Sequence, residues 1–403
     1  MGAAPHWLDA SNPADGDAND PGDRKYPVCY TRAATMTAAV VFTTAGPLSG
    51  NLQIGGTGPG SLDFPPTVAT INGQTVGATI TCLAGFEDAV EFIDPLTITW
   101  FLSSDQGVTW HEVGISQNRV YVTLGDPTPA TLFETLLLIG CKNAIGQTSG
   151  TLMTAAVWNQ FTSVSDGVER ADGVHMGYWL TGSPAQNIAR YYDYDQGTTV
   201  TGILQRPNGD GSCAAWAQLL HWSLEAQGLG GYSQVFMIWP SYGALWQYGF
   251  LVKNWTFTGN GIYLQTDPDF PYHKDDDVTT STRLVAQNNT ASPPVFDNHW
   301  VCIISGKVYD PSYGVNFNTQ NEHENGASDG FYKESNSHTR KNDVNTQEFS
   351  YSRDTGRESG AESTERKIRS WLETKSSACS SWQACSRFRL RDSVRLRRIN
   401  AGT

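Results

Sequence analysis

Between residues 34 and 165 the chain breaks into short β-rich runs separated by Gly, Pro and Asn turns, and that pattern leaves few architectures open. The runs are TMTAAVVFTT, SGNLQIGG, TVATINGQTVGATITCLAG, LTITWFL, TWHEVGIS, NRVYVTL and TLFETLLLIGC. No long helical period interrupts them. Each such strand can hide only one face, so a regular series of them stacks into two sheets. The expected fold class is multidomain β and α+β: an Ig-like β-sandwich over 34–165, then an α+β domain with a helix against an antiparallel sheet over 166–317.

Within the first unit, Ser103, Asp105, Gly107, Thr109 and Trp110 spell S-x-D-x-G-x-T-W, which resembles the Asp-box hairpin of sialidase-type propellers. A propeller needs that signature blade by blade, and it occurs once. The expectation is a lone hairpin, with Asp105 capping the loop and Trp110 packing inward. Residues 1–33 read as an irregular lead-in, and their Asp15, Asp17, Asn19 and Asp20 lack the spacing of an EF-hand calcium loop. Residues 318–403 are polar and repetitive, with few side chains able to form a core, and read as a disordered tail.

Charge and cysteine usage exclude several functions. The chain carries 27 basic against 40 acidic residues, a net charge of −13. The basic excess is confined to 361–403, so the body is more acidic still, and a nucleic-acid partner is not expected. No apolar run reaches the roughly 18 residues a spanning helix needs, so membrane insertion is not expected. The N-terminus lacks the charged start and apolar core of a secretory signal, although an extracellular setting stays compatible with the rest. The seven cysteines, at 29, 82, 141, 213, 302, 379 and 385, form no CxxC pair and no short cluster with histidine, so no metal site is expected.

The clearest helix of the chain lies in GDGSCAAWAQLLHWSLEAQGL, residues 209–229. Ala217, Leu220 and Leu224 fall on one side of it, and Gly228 supplies a stop. Cys213 sits at its first turn, facing the positive end of the helix dipole, where a thiolate is favoured over a thiol. Gly209 and Gly211 let the backbone turn sharply, and Ser212 or Asp210 can cap the helix. The arrangement suits a nucleophile, although a lone cysteine is more often inert packing.

A nucleophilic thiol needs a base. His221 lies eight residues along the same helix, about 12 Å away, beyond hydrogen-bond reach. His175 and His273 have no evident orienting partner. His299 has one, because it opens the run HWVCIISGKVYD, in which Ser305 and Gly306 make a two-residue hairpin turn. That turn pairs 304 with 307, 303 with 308 and 302 with 309, so Asp310 and His299 share a face as diagonal neighbours, roughly 7–8 Å apart between backbones. A three-residue turn would put them on opposite faces. At that reach a carboxylate can fix the imidazole tautomer and support its charge.

These residues also carry a resemblance. Gly211, Cys213 and Ala217 in a G-x-C-x-x-x-A pattern, an apolar helix ending at AQGLGG, a strand closed by Pro240, and then NHWVCIISGKVYDPSYG resemble the catalytic core of the transglutaminase-like superfamily over roughly 175–315. The resemblance implies Cys213 as nucleophile, His299 as general base and then acid, and Asp310 as orienter. Ser212 stands where animal transglutaminases often have Gln, Ala214 where an aromatic is usual, and their calcium loops are not recognisable. The implied activity is therefore that of the broader, hydrolytic relatives.

The expected function is acyl transfer through a Cys213 thioester, hydrolysing an amide or peptide bond in a protein or peptide substrate, without metal or organic cofactor. The alternative is a non-catalytic extracellular binding or scaffolding protein with an inert transglutaminase-like domain. Oxyanion donors would be the Cys213 N–H and either the side chain of Gln205 or an aromatic of the Tyr191, Tyr192, Tyr194 cluster. Trp216, Trp222, Trp239, Trp246 and Trp255 are candidates for lining the cleft or filling the core.

Overall fold

The computed structural model describes residues 28–60, 62–129, 132–178, 199–206, 209–240, 248–252, 286–288, 295–296, 299–333, 337–340 and 349–353. The β-rich runs form two sheets around one core. Five strands lie in the spatial order Val28–Thr31, His111–Thr123, Glu91–Ser103, Gln53–Thr57 and Asp63–Val68, the first pair parallel and the others antiparallel. Three more lie in the order Thr35–Thr43, Thr75–Gly85 and Thr70–Asn72.

Period-2 alternation sends Met36, Ala38, Val40 and Phe42 of one sheet inward to meet Ile54, Phe64, Ile98 and Trp100 of the other. Trp100 is buried with its indole N–H satisfied by Ser116 Oγ at 2.9 Å. Gly56 makes room for it, since a Cβ there would sit 2.6 Å from the Trp100 ring.

The segment Ser103–Trp110 links the two longest strands as a self-bonded loop. Ser103 Oγ accepts from the Gly107 N–H at 2.8 Å, and Asp105 Oδ1 accepts from the Thr109 N–H at 2.8 Å. That backbone bond, with side-chain bonds from Thr109 and Ser103, lowers the Asp105 carboxyl to about 2. Trp110 turns its indole N–H onto the Gly107 carbonyl at 3.1 Å.

TLFETLLLIGC departs from its expected strand, because Glu134–Cys141 is an α-helix buried along its whole length. An unbroken apolar run hidden on every side carries no period that separates helix from strand. This helix and Gly150–Thr162 pack into a second core with the Cys213 helix and the later sheet, so they join the segment expected to start at 166 and not the sandwich core. The boundary between the two cores runs through the strand His111–Thr123, whose Val120 and Val122 belong to the first and whose Tyr121 belongs to the second. Polar contacts join the two units as well: Glu134 accepts from Tyr121 OH at 2.8 Å and from Arg119 Nη1 at 3.0 Å, and the Gly125 N–H donates to the Gln227 carbonyl at 3.0 Å.

The second core is built on a five-stranded sheet in the order Val315–Phe317, Lys307–Asp310, His299–Ile304, Ser233–Pro240 and Phe349–Arg353. The helix Cys213–Glu225 packs across its His299–Ile304 and Ser233–Pro240 strands, burying Trp216, Leu220 and Leu224. A further sheet joins Val295–Phe296, Tyr248–Val252, Ser328–Lys333 and Ser337–Arg340.

Ordered structure thus extends past residue 317, where the tail was expected to begin, through the helix Gln320–Ala327 and on to Phe349–Arg353. Composition measures what a segment can bury, whereas an edge strand is held by its backbone, which a polar sequence also offers. The lead-in acidic residues and the basic terminal stretch lie outside the described residues. Among the described residues no helix is long and apolar enough to cross a membrane.

Candidate active site

Two elements bring the candidate catalytic side chains together. The first is the turn into the Cys213 helix. Gly209 takes a left-handed φ of 59°, and Gly211 lies so close to Ile203 that a Cβ would meet its side chain at 2.8 Å. Asp210 and Gly211 pair in parallel with Gly177 and Tyr178, and Ser212 then takes the N-cap position in extended conformation.

Cys213 is therefore the first helical residue, as the spacing of the sequence indicates. The expectation that Ser212 caps the helix fails. Ser212 makes no side-chain cap bond, its Oγ is buried without a partner among the described residues, and the Asp210 carboxylate faces Arg206 Nε at 3.6 Å. At its far end the helix gives way to a turn at Gly228, with φ of 74° and its N–H on the Glu225 carbonyl at 2.9 Å.

The second element is the hairpin His299–Ile304 and Lys307–Asp310. Its register is Cys302↔Tyr309, Ile303↔Val308 and Ile304↔Lys307, closed by Ser305 and Gly306 at φ of 49° and 83°. Two consecutive positive φ values mark the two-residue turn whose twist matches its strands. His299 and Asp310 consequently share a face, and Nε2 of the ring lies 2.6 Å from Asp310 Oδ2. Both are buried, at 1 % and 0 % exposure. Asp310 Oδ1 accepts the Ser312 N–H at 3.1 Å, and the Tyr313 ring lies 5.8 Å from that of His299.

Cys213 lies near enough to the same imidazole to act on its protonation, after Asp310. Burial alone would push the His299 pKa down, but the charge and hydrogen bond of Asp310, followed by Cys213, outweigh it and the pKa is raised. The imidazole and the carboxylate are thus linked directly, with the first residue of the Cys213 helix acting on the same ring.

The remaining candidates separate. Gln205 ends the helix Val200–Gln205, but its side chain lies outside the described residues, as do Tyr191, Tyr192, Tyr194 and His273. His221 is engaged elsewhere, with Nδ1 2.7 Å from Ser233 Oγ and Nε2 3.6 Å from Glu225 Oε1. His175 Nδ1 lies 3.0 Å from the Asp166 carbonyl oxygen. Trp216 is a core residue, its indole N–H on the Gly177 carbonyl at 3.3 Å. Trp222 packs on the same core, Trp246 and Trp255 lie outside the described residues, and so does the side chain of Trp239.

Among the other described cysteines, burial pushes the thiol of Cys29 up to about 11, that of Cys302 up to about 12, and that of Cys141 upward as well. Sequence reasoning missed Ser312, Tyr313 and Gln287. The first two lie two and three residues after Asp310, so proximity was their signal. Gln287 falls in a stretch whose polar composition suggests surface. No family model and no curated protein matches the chain.

Proposed function

We propose that the protein is a transglutaminase-like cysteine acyl-transfer enzyme that hydrolyses an amide or peptide bond through a thioester on Cys213. The observation that carries this reading is the buried pair of His299 and Asp310, 2.6 Å apart, with Cys213 at a helix start and near enough to act on the same imidazole. On this reading the Cys213 proton passes to His299 and the sulfur attacks the carbonyl carbon. The developing oxyanion meets the Cys213 N–H at the start of the helix. The tetrahedral intermediate collapses as His299 returns the proton to the leaving amine, and Asp310 supports the ring while it is charged.

Water, deprotonated by the same ring, then attacks the thioester and releases the acid. Each step exchanges protons among the three side chains and the substrate, so the chemistry calls for no metal or organic cofactor. Hydrolysis is favoured over amine transfer by Ser212 and Ala214, which replace the Gln and the aromatic usual in crosslinking relatives. The two-sheet unit ahead of the site is proposed as an Ig-like accessory domain for a protein or peptide substrate.

The test is alkylation by iodoacetamide near pH 6 with peptide mapping. Cys213 is expected to react well faster than an unperturbed thiol of pKa about 8.5. His299→Ala is expected to abolish labelling by acyl-amide probes. A Cys213 rate no faster than that of the unperturbed thiol refutes the enzyme reading and leaves a binding or scaffolding protein.

A further inference from the structure

Gln287 is fully buried although the residues that follow it in sequence, Asn288, Asn289 and Thr290, are polar. Its Nε2 donates to the Phe161 carbonyl at 2.6 Å and to the Pro311 carbonyl at 2.7 Å. Its main-chain N–H donates to the Ser312 carbonyl at 3.0 Å, and its own carbonyl accepts from the Tyr178 N–H at 2.6 Å. Two of these bonds land on the two residues that follow Asp310. Ser312 in turn holds Asp310 Oδ1, and Tyr313 lies against both His299 and Tyr178, each at 5.8 Å between ring centroids.

The orientation of the amide is informative. Gln287 Oε1 is buried with no partner among the described residues, while both side-chain N–H groups serve carbonyls. The reverse orientation would set oxygen against two carbonyl oxygens. A buried acceptor left unmade is costly, and a group that only filled space would be better apolar. The side chain is therefore kept for its donors, and one of those donors acts on the turn beneath Asp310.

We propose that Gln287 is the positioning residue of the Asp310 carboxylate. By gripping Pro311 from its side chain and Ser312 from its main chain, it fixes the turn whose N–H holds Oδ1, and this leaves Oδ2 aimed at His299. The inference rests on the reading of Cys213, His299 and Asp310 as one catalytic unit. It adds a fourth member that touches neither substrate nor sulfur and acts through the backbone of residues 311 and 312.

The experiment measures iodoacetamide alkylation of Cys213 in the full chain, near pH 6 and near pH 9.5, for wild type, Asp310→Asn, Gln287→Glu, Gln287→Met and the double variants. Gln287→Glu keeps the shape but trades the donors for oxygen, and Gln287→Met fills the volume with no donor, so either carries the test if the other does not fold. Each Gln287 variant is expected to lower the rate near pH 6 roughly tenfold, the equivalent of one pKa unit, and to leave the rate near pH 9.5 unchanged. Adding Asp310→Asn should lower it no further, as expected of two residues acting in one chain of contacts.

A Gln287 variant that loses thermal stability but keeps the wild-type ratio of the two rates, while Asp310→Asn changes it, overturns the positioning role alone. A wild-type ratio in Asp310→Asn overturns the catalytic reading, and the positioning role with it.

Discussion

His299 Nε2 and Asp310 Oδ2 lie 2.6 Å apart across a hairpin, with both side chains buried. The contact is a consequence of turn length. Ser305 and Gly306 are the only residues between the paired Ile304 and Lys307, and one more residue there would turn the carboxylate to the opposite face of the sheet.

Removing one member of this pair leaves the other buried without its counter-charge, which costs about 3–5 kcal/mol. Asp310→Ala is expected to lower stability by that order. Asp310→Asn, which keeps an oxygen for the ring N–H, should lower it less. Urea unfolding of the two variants decides, and equal losses would count against the pairing.

The raised His299 pKa has a defined sign in a stability profile. The folded chain holds the ring proton more tightly than the unfolded chain, whose value is about 6.5. That stabilisation is complete below the unfolded value and is lost as pH rises through the folded one. Thermal melts from about pH 6 into the alkaline range should show the advantage of wild type over His299→Gln shrinking as pH rises. An advantage that grows with pH would contradict the assignment.

Ser212 occupies a cap position without capping. A working Ser cap contributes about 0.5–2 kcal/mol. Because this hydroxyl is buried and makes no cap bond, Ser212→Ala is expected to leave the melting temperature unchanged or slightly raised. A drop matching a lost cap would show that the hydroxyl bonds the first turn in solution.

Gly209 carries the turn that delivers Cys213. Its φ of 59° and the 2.6 Å gap between a Cβ and Met176 Cγ leave no room for a side chain. Gly209→Ala should lose about 1–2 kcal/mol from the backbone conformation alone, with slower alkylation of Cys213 because the turn shifts. The denaturation midpoint and the labelling rate are read on the same sample, and wild-type values for both would refute the constraint.

What was legible from sequence follows from how local each cause is. The hairpin register could be read because two turn residues dictate it, and the Cys213 helix because its apolar positions keep a helical period. The helix Glu134–Cys141 was hidden because Leu136, Leu137, Leu138 and Ile139 are all buried, which erases the period. Gln287 was hidden for a different reason. Its partners are carbonyls of residues 161 and 311, and no side-chain pattern records which backbone an amide will reach. The polar segments Ser328–Lys333 and Ser337–Arg340 misled in the same way, since their strand pairing is made by main chain.

The strand Phe349–Arg353 runs beside Ser233–Pro240, which itself flanks the strand of His299. A chain shortened at residue 317 would therefore strip the cover from that inner neighbour and bare a row of N–H and C=O groups one strand away from the imidazole. Such an exposed rim invites another molecule to dock along it. A preparation ending there should self-associate, so a loss of activity in it would report on clumping before it reported on chemistry.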